Sequence, residues 1–166
     1  MKKAKLAEKK TPKLIQSSLG LFSEMDKDVF GSVHDEVMCW TDKHAQEIID
    51  KLWPNIGKIF SREWEKPVST NVKREDRLVG FIDLAVSISS EEVDYIYFEI
   101  KTQVRPGSDI RQIKAYKFYL SPLTTEYGER FRGRFVVVSP DDRHAELLTN
   151  QGIKFVKYPD FLGAKL

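Results

Sequence analysis

Hydrophobic and polar residues alternate twice within residues 78–101, first through Ile82, Leu84, Val86 and Ile88, then through Ile96, Phe98 and Ile100. Period-two alternation on either side of Ser89-Ser90-Glu91-Glu92 predicts a β-hairpin with one face in a core. Directly opposed residues of an antiparallel pair point to the same side. Packing both apolar sets in one core therefore requires partners whose numbers have an even sum. Asp83, Glu99 and Lys101 then share the other face. A turn centred near Glu91 sets Asp83 opposite Glu99, with Cβ atoms about 4.5–5.5 Å apart. Lys101 follows about 7 Å along the strand. A one-residue slip would drive Asp83 into the apolar layer.

The remaining elements follow from similar patterns. Val33, Val37, Trp40, His44, Ile48 and Leu52 recur at helical spacing, behind Ser32 as N-cap and Asp35 in a capping-box position, with Pro54 as the stop. Residues 56–65 read as a strand and 67–76 as a polar turn. Arg105-Pro106-Gly107-Ser108 breaks the second hairpin strand. A helix is expected over 109–119 with Ser108 as its N-cap, stopped by Ser121-Pro122. Residues 123–133 read as a loop carrying Arg130 and Arg132. Phe135 to Val138 form a continuous apolar run, typical of a strand covered on both faces. A helix over 141–150 starts after Ser139-Pro140 and ends before Gly152. A strand over 153–156 completes a βαβ unit, so its two strands should lie parallel. The order α, β, β, β, α, β, α, β describes an α/β fold, a mixed sheet flanked by helices.

Composition narrows the setting. At 166 residues the chain suits one domain over 32–166, preceded by a lysine-rich tail and wrapping segment over 1–31. A net charge of +2 does not by itself call for nucleic acid, so any basic surface must come from clustering. Cys39 is the single cysteine, which excludes an intrachain disulfide and points to a reducing, cytoplasmic setting. No apolar run reaches membrane-spanning length, and no signal core follows the N-terminal lysines. The three histidines and Cys39 lack zinc spacing, and phosphate-loop and nucleophile-elbow motifs are absent.

Candidate chemistry concentrates on the hairpin. Two carboxylates held that close repel, so one takes a proton or a cation sits between them. An all-oxygen site completed by waters suits Mg²⁺ or Mn²⁺. A neighbouring lysine would neutralise a developing oxyanion or help activate a water. Glu36, in the first turn of the first helix, reads either as an acid favoured by the helix dipole or as a third carboxylate of the site. Gln112 and Tyr116, four apart, share a helix face. Arg111, Lys114 and Arg132 add positive charge, some of it available to phosphate.

These residues resemble the PD-(D/E)xK nuclease superfamily, the restriction-endonuclease-like fold, over residues 32–138. Asp83 within Gly80-Phe81-Ile82-Asp83 stands for the family's first acid, and Glu99-Ile100-Lys101 for its E-x-K half. Gln112-Ile113-Lys114-Ala115-Tyr116 is similar to the glutamine and tyrosine of the RecB-like branch. Ile82 stands where many members carry proline. The family often has an acid or a histidine on the first helix, and Glu36 and His34 match that placement loosely. The resemblance implies an αβββαβ core with a C-terminal αβ extension, and Mg²⁺- or Mn²⁺-dependent hydrolysis of phosphodiester bonds, usually in DNA. Asp83 and Glu99, with Glu36, would ligate metal. Lys101, Gln112 and Tyr116 would complete the catalytic set, and Arg111, Lys114 and Arg132 would contact the backbone. A homodimer would supply two active sites for a duplex. The alternatives are an inactive nuclease-like module that binds nucleic acid or a protein, and an RNA-directed nuclease.

Overall fold

A computed structural model describes residues 32–70, 77–91, 93–120 and 132–161. The segment over 1–31, residues 71–76 of the expected polar turn, and most of the expected 123–133 loop with Arg130 lie outside them. The elements run α1 (Val33–Leu52), β1 (Lys58–Thr70), β2 (Arg77–Ser89), β3 (Tyr95–Ile100), α2 (Pro106–Leu120), β4 (Gly133–Ser139), α3 (Ala145–Asn150) and β5 (Lys154–Lys157). The five strands form one mixed sheet in the order β1-β2-β3-β4-β5. The first three are antiparallel neighbours, and β4 and β5 continue parallel to β3. The chain is thus an α/β fold with a mixed sheet flanked by helices, as the pattern predicts. Among the described residues no helix is long and apolar enough to cross a membrane.

Two apolar layers clamp the sheet. On one side Val37, Ala45, Ile48 and Ile49 of α1 pack on Leu84, Val86, Ile96, Phe98, Val136, Val138 and Val156. On the other, Ile113 and Tyr116 of α2 and Leu148 of α3 pack on Ala85, Tyr97, Phe135 and Val137. Covering on both faces explains the unbroken Phe135–Val138 run, because every position in it is buried.

The hairpin has the expected parity: Leu84 lies opposite Phe98 and Val86 opposite Ile96. One part of its pattern is overturned. Ile82 does not share a layer with Leu84; it packs with Val68 and Tyr116 on the α2 side. The alternation inverts at Asp83, where the β1 backbone at Glu65 adopts left-handed torsions (φ 47°) between the pairs Trp64–Leu84 and Lys66–Ile82. Beyond this point β2 pairs with β1 alone, so β1 and β2 extend past β3 as a two-stranded arm.

Three element boundaries also differ. The first strand runs through Pro67 to Thr70 rather than ending near 65, since β2 offers it a partner throughout. Helix α1 starts on the predicted Ser32 cap, whose hydroxyl accepts the Asp35 N–H at 3.3 Å. Its inward face, however, is Val37, Thr41, Ala45, Ile48 and Ile49, and Val33 is exposed. Thr41 is tolerated inside because its hydroxyl bonds the Val37 carbonyl at 2.7 Å. Helix α2 begins at Pro106, not after Ser108: proline suits a first helical position, and the Asp109 carboxylate accepts the Arg105 N–H at 2.6 Å. Helix α3 starts later than expected, because Ser139 belongs to β4 and its hydroxyl accepts the Asp141 N–H at 3.0 Å.

Candidate active site

A cleft of about 450 Å³ opens where β2 leaves β3. Its lining includes Asp83 from β2, Glu99 and Lys101 from β3, Gln112 and Tyr116 from α2, and His34 from α1. The splay creates it. Leu84–Phe98 is the last paired level, and one step on the Asp83 carboxylate accepts the Ile100 N–H at 2.6 Å. A side chain thus satisfies a backbone donor that would otherwise be stranded at the end of the ladder. Strand periodicity sets Glu99 and Lys101 on one side. Lys101 is held level by its own N–H, which bonds Val138 of β4 at 3.0 Å.

A chain of hydrogen bonds crosses the cleft floor. Lys101 Nζ donates to Glu99 Oε1 and to Gln112 Oε1, each at 2.9 Å. Gln112 Nε2 donates to the Tyr116 hydroxyl at 2.7 Å, which donates to the Phe81 carbonyl at 3.1 Å. The i, i+4 spacing of Gln112 and Tyr116 delivers both groups to one side of α2. The chain closes on β2 only because residue 80 is glycine: a Cβ there would stand 2.4 Å from the Tyr116 hydroxyl oxygen.

Electrostatically the centre is under tension. Glu99 is 3% exposed, and its Oε2 is buried without a hydrogen-bond partner. Burial, then the nearby Asp83 charge, push its carboxyl up to about 7, against the pull of Lys101. Burial also raises Asp83, partly offset by the Ile100 N–H, His34 and Lys101. For Lys101 burial opposes the charged form, yet Glu99, Asp109 and Asp83 together hold its pKa above the ordinary lysine value. Two carboxylates short of positive charge, one with an unbonded oxygen, fit a hard divalent cation. Among the described residues no group of three or more His, Cys, Asp or Glu forms a ready cage. One or two carboxylates would then hold such a cation, a number that leaves room for water on Mg²⁺.

The expected residues do not all converge. Glu36 is not in the cleft lining: it is exposed, and its carboxylate accepts the Tyr158 hydroxyl at 2.6 Å. Positions two apart on a helix face nearly opposite ways. His34, whose Nε2 lies 3.4 Å from Asp83 Oδ1, takes the direction toward the site that Glu36 was expected to take. Arg132 sits at the far end of β3, where its guanidinium holds the Ser90 and Glu91 carbonyls and lies 3.4 Å from Asp94. It fastens the β2–β3 turn, a strand's length from the cleft. Arg111 and Lys114 are on the exposed surface of α2, with Arg111 Nε bonded to the Gly107 carbonyl at 2.7 Å.

Three further residues contribute to the site. Gly80, a lone glycine inside a strand pattern, is the usual mark of a close approach. Asp109 is 7% exposed and acts electrostatically on both Glu99 and Lys101. Its only signal was an acid just after a helix-starting proline. Phe81 borders the cleft and is half exposed.

No protein-family model matches the chain, and no curated protein matches it. Among solved structures it is similar to a repair endonuclease from Pyrococcus abyssi, with a TM-score of 0.38 and 19% identity over 70% of this chain and 46% of that one. It is also similar to the protein in an EndoMS–double-stranded DNA complex, with a TM-score of 0.34 and 20% identity over 72% of this chain and 46% of that one. The chain spans a little under half the length of either.

Proposed function

We propose that this chain is a metal-dependent nuclease that hydrolyses phosphodiester bonds in DNA. The carrying observation is the convergence of Asp83, Glu99 and Lys101 on one cleft, with a buried Glu99 oxygen left unbonded. Asp83 and Glu99 would hold Mg²⁺ or Mn²⁺. When bound, the metal would polarise the scissile phosphate and lower the pKa of a water. Lys101 has three donors, of which Glu99 and Gln112 take two. The third is available to a phosphate oxygen or to the attacking water, where an ammonium stabilises the charge gained in the transition state. Gln112 and Tyr116 fix the ammonium's direction without adding charge. His34 orients Asp83 from the α1 side. A module that only bound nucleic acid would gain nothing from two adjacent acids, one buried and one half-buried, whose desolvation costs stability.

The test is incubation with linear, circular and single-stranded DNA, and with RNA, in Mg²⁺ or Mn²⁺ and then in chelator. Cleavage of DNA should require the metal and be abolished in Asp83→Asn and Lys101→Ala. No cleavage by the wild type, or equal cleavage by the variants, overturns the reading. Cleavage of RNA alone would move it to the RNA-directed alternative.

A further inference from the structure

We propose that Phe81 is the specificity-determining contact of this centre, a platform on which the base of a bound nucleotide stacks, so that single strands and unpaired ends are preferred over continuous duplex. This rests on the nuclease reading. Phe81 borders the cleft two residues from Asp83 and keeps 49% of its surface exposed, although the surrounding lining is largely polar. A phosphate gains nothing from an aromatic ring at this place, whereas the flat face of an unpaired base does. The ring's backbone is fixed in advance. Phe81 is paired with Pro67 of β1, and its carbonyl accepts the Tyr116 hydroxyl at 3.1 Å. The platform is thus tied through Tyr116 and Gln112 to Lys101, which sets the distance between a stacked base and the reacting phosphate. Leu78 and Val79 are also exposed on the same arm. Bases within a continuous duplex present only their edges, whereas an unpaired base presents the face that an aromatic ring recognises.

The experiment measures equilibrium binding of the full chain to a labelled single strand, and to the same strand annealed as a blunt duplex, in chelator so that nothing is cut. The wild type should favour the single strand. Phe81→Ala should weaken that complex roughly tenfold or more and leave the duplex within about twofold, the spread ordinary for a surface substitution. Phe81→Trp should retain the preference, which separates loss of stacking from loss of folding. Equal affinity for both forms, or equal weakening of both in Phe81→Ala, overturns the inference. Metal-dependent cleavage without strand preference leaves the nuclease reading standing and this inference refuted. A Phe81-dependent preference without cleavage does the reverse.

Discussion

Replacing Gly80 by alanine isolates the packing that aims Lys101. The glycine does not have positive φ, so alanine fits the backbone, and by chain entropy alone the substitution should stabilise the protein by about 0.4–1 kcal/mol. The close approach reverses the sign. The new Cβ would lie 2.4 Å from the Tyr116 hydroxyl oxygen, 3.1 Å from Cζ and 3.2 Å from Cε1. Tyr116 is buried between α2 and the arm and must retreat by about 1 Å to restore ordinary contact. That retreat breaks its 3.1 Å bond to Phe81 and its 2.7 Å bond from Gln112. Each bond contributes about 1 kcal/mol net, and overpacking adds about 1–3 kcal/mol. Gly80→Ala should therefore cost about 2–4 kcal/mol in urea unfolding. Tyr116→Phe removes the clashing oxygen, so in that background the same glycine substitution should cost at least about 1 kcal/mol less. Under the proposed function, metal-dependent cleavage should fall up to about 100-fold, since a misplacement near 1 Å costs that much in positioning. A stabilising Gly80→Ala, or an equal cost in both backgrounds, would refute the account.

Three further outcomes follow from the site and its surroundings. The folded state favours protonated Glu99 up to about pH 7, whereas the unfolded chain releases that proton near its ordinary value of 4.5. The contribution of Glu99 to metal-free stability should therefore be full below about pH 4.5 and be lost as pH rises to about 7, by on the order of 3 kcal/mol. Glu99→Gln should flatten that decline, and Mg²⁺ or Mn²⁺ should raise the melting temperature of the wild type at pH 8 but not that of Glu99→Gln. Glu36→Gln should leave the cation-induced shift in melting temperature unchanged, because Glu36 is engaged with Tyr158 away from the cleft; a lost shift would restore it to the metal site. Arg132→Ala should destabilise the fold by about 1–3 kcal/mol through the loss of two carbonyl contacts, one half-buried and one exposed, while the slope of DNA affinity against salt stays the same.

Particular residues show where sequence reasoning reached and where it stopped. Strand parity places Leu84 against Phe98 and carries Asp83 to the level of Glu99, because the period of two leaves no freedom once both apolar sets are assigned. The same periodicity fails one residue earlier, at Ile82, because the left-handed backbone at Glu65 belongs to the neighbouring strand. The Ser32 cap was legible from a local motif, whereas the rotation of α1 was not: Thr41 and Ala45 are weak apolar signals made core by the sheet beneath them. That rotation turns His34 toward Asp83 and Glu36 toward Tyr158. Gln112 and Tyr116 could be paired by spacing, but their shared target needed the tertiary position of β2. The pairing of the Arg132 guanidinium with turn carbonyls was invisible in a list of positive charges.

The strand order has a consequence for how the chain folds. Every strand neighbours the next in sequence, but among the described residues no helix stands between the first three, whereas the last two are each reached after a helix. Asp83 and Glu99 lie within one meander, and short loops close at less entropic cost than long ones. The two acids should come together early, while Gln112 and Tyr116 dock later with α2. Pulse-labelled amide exchange during refolding should protect the Val86–Ile96 ladder before the Val137–Phe155 ladder. A nascent chain would then hold two facing carboxylates before Gln112 arrives to aim the lysine beside them.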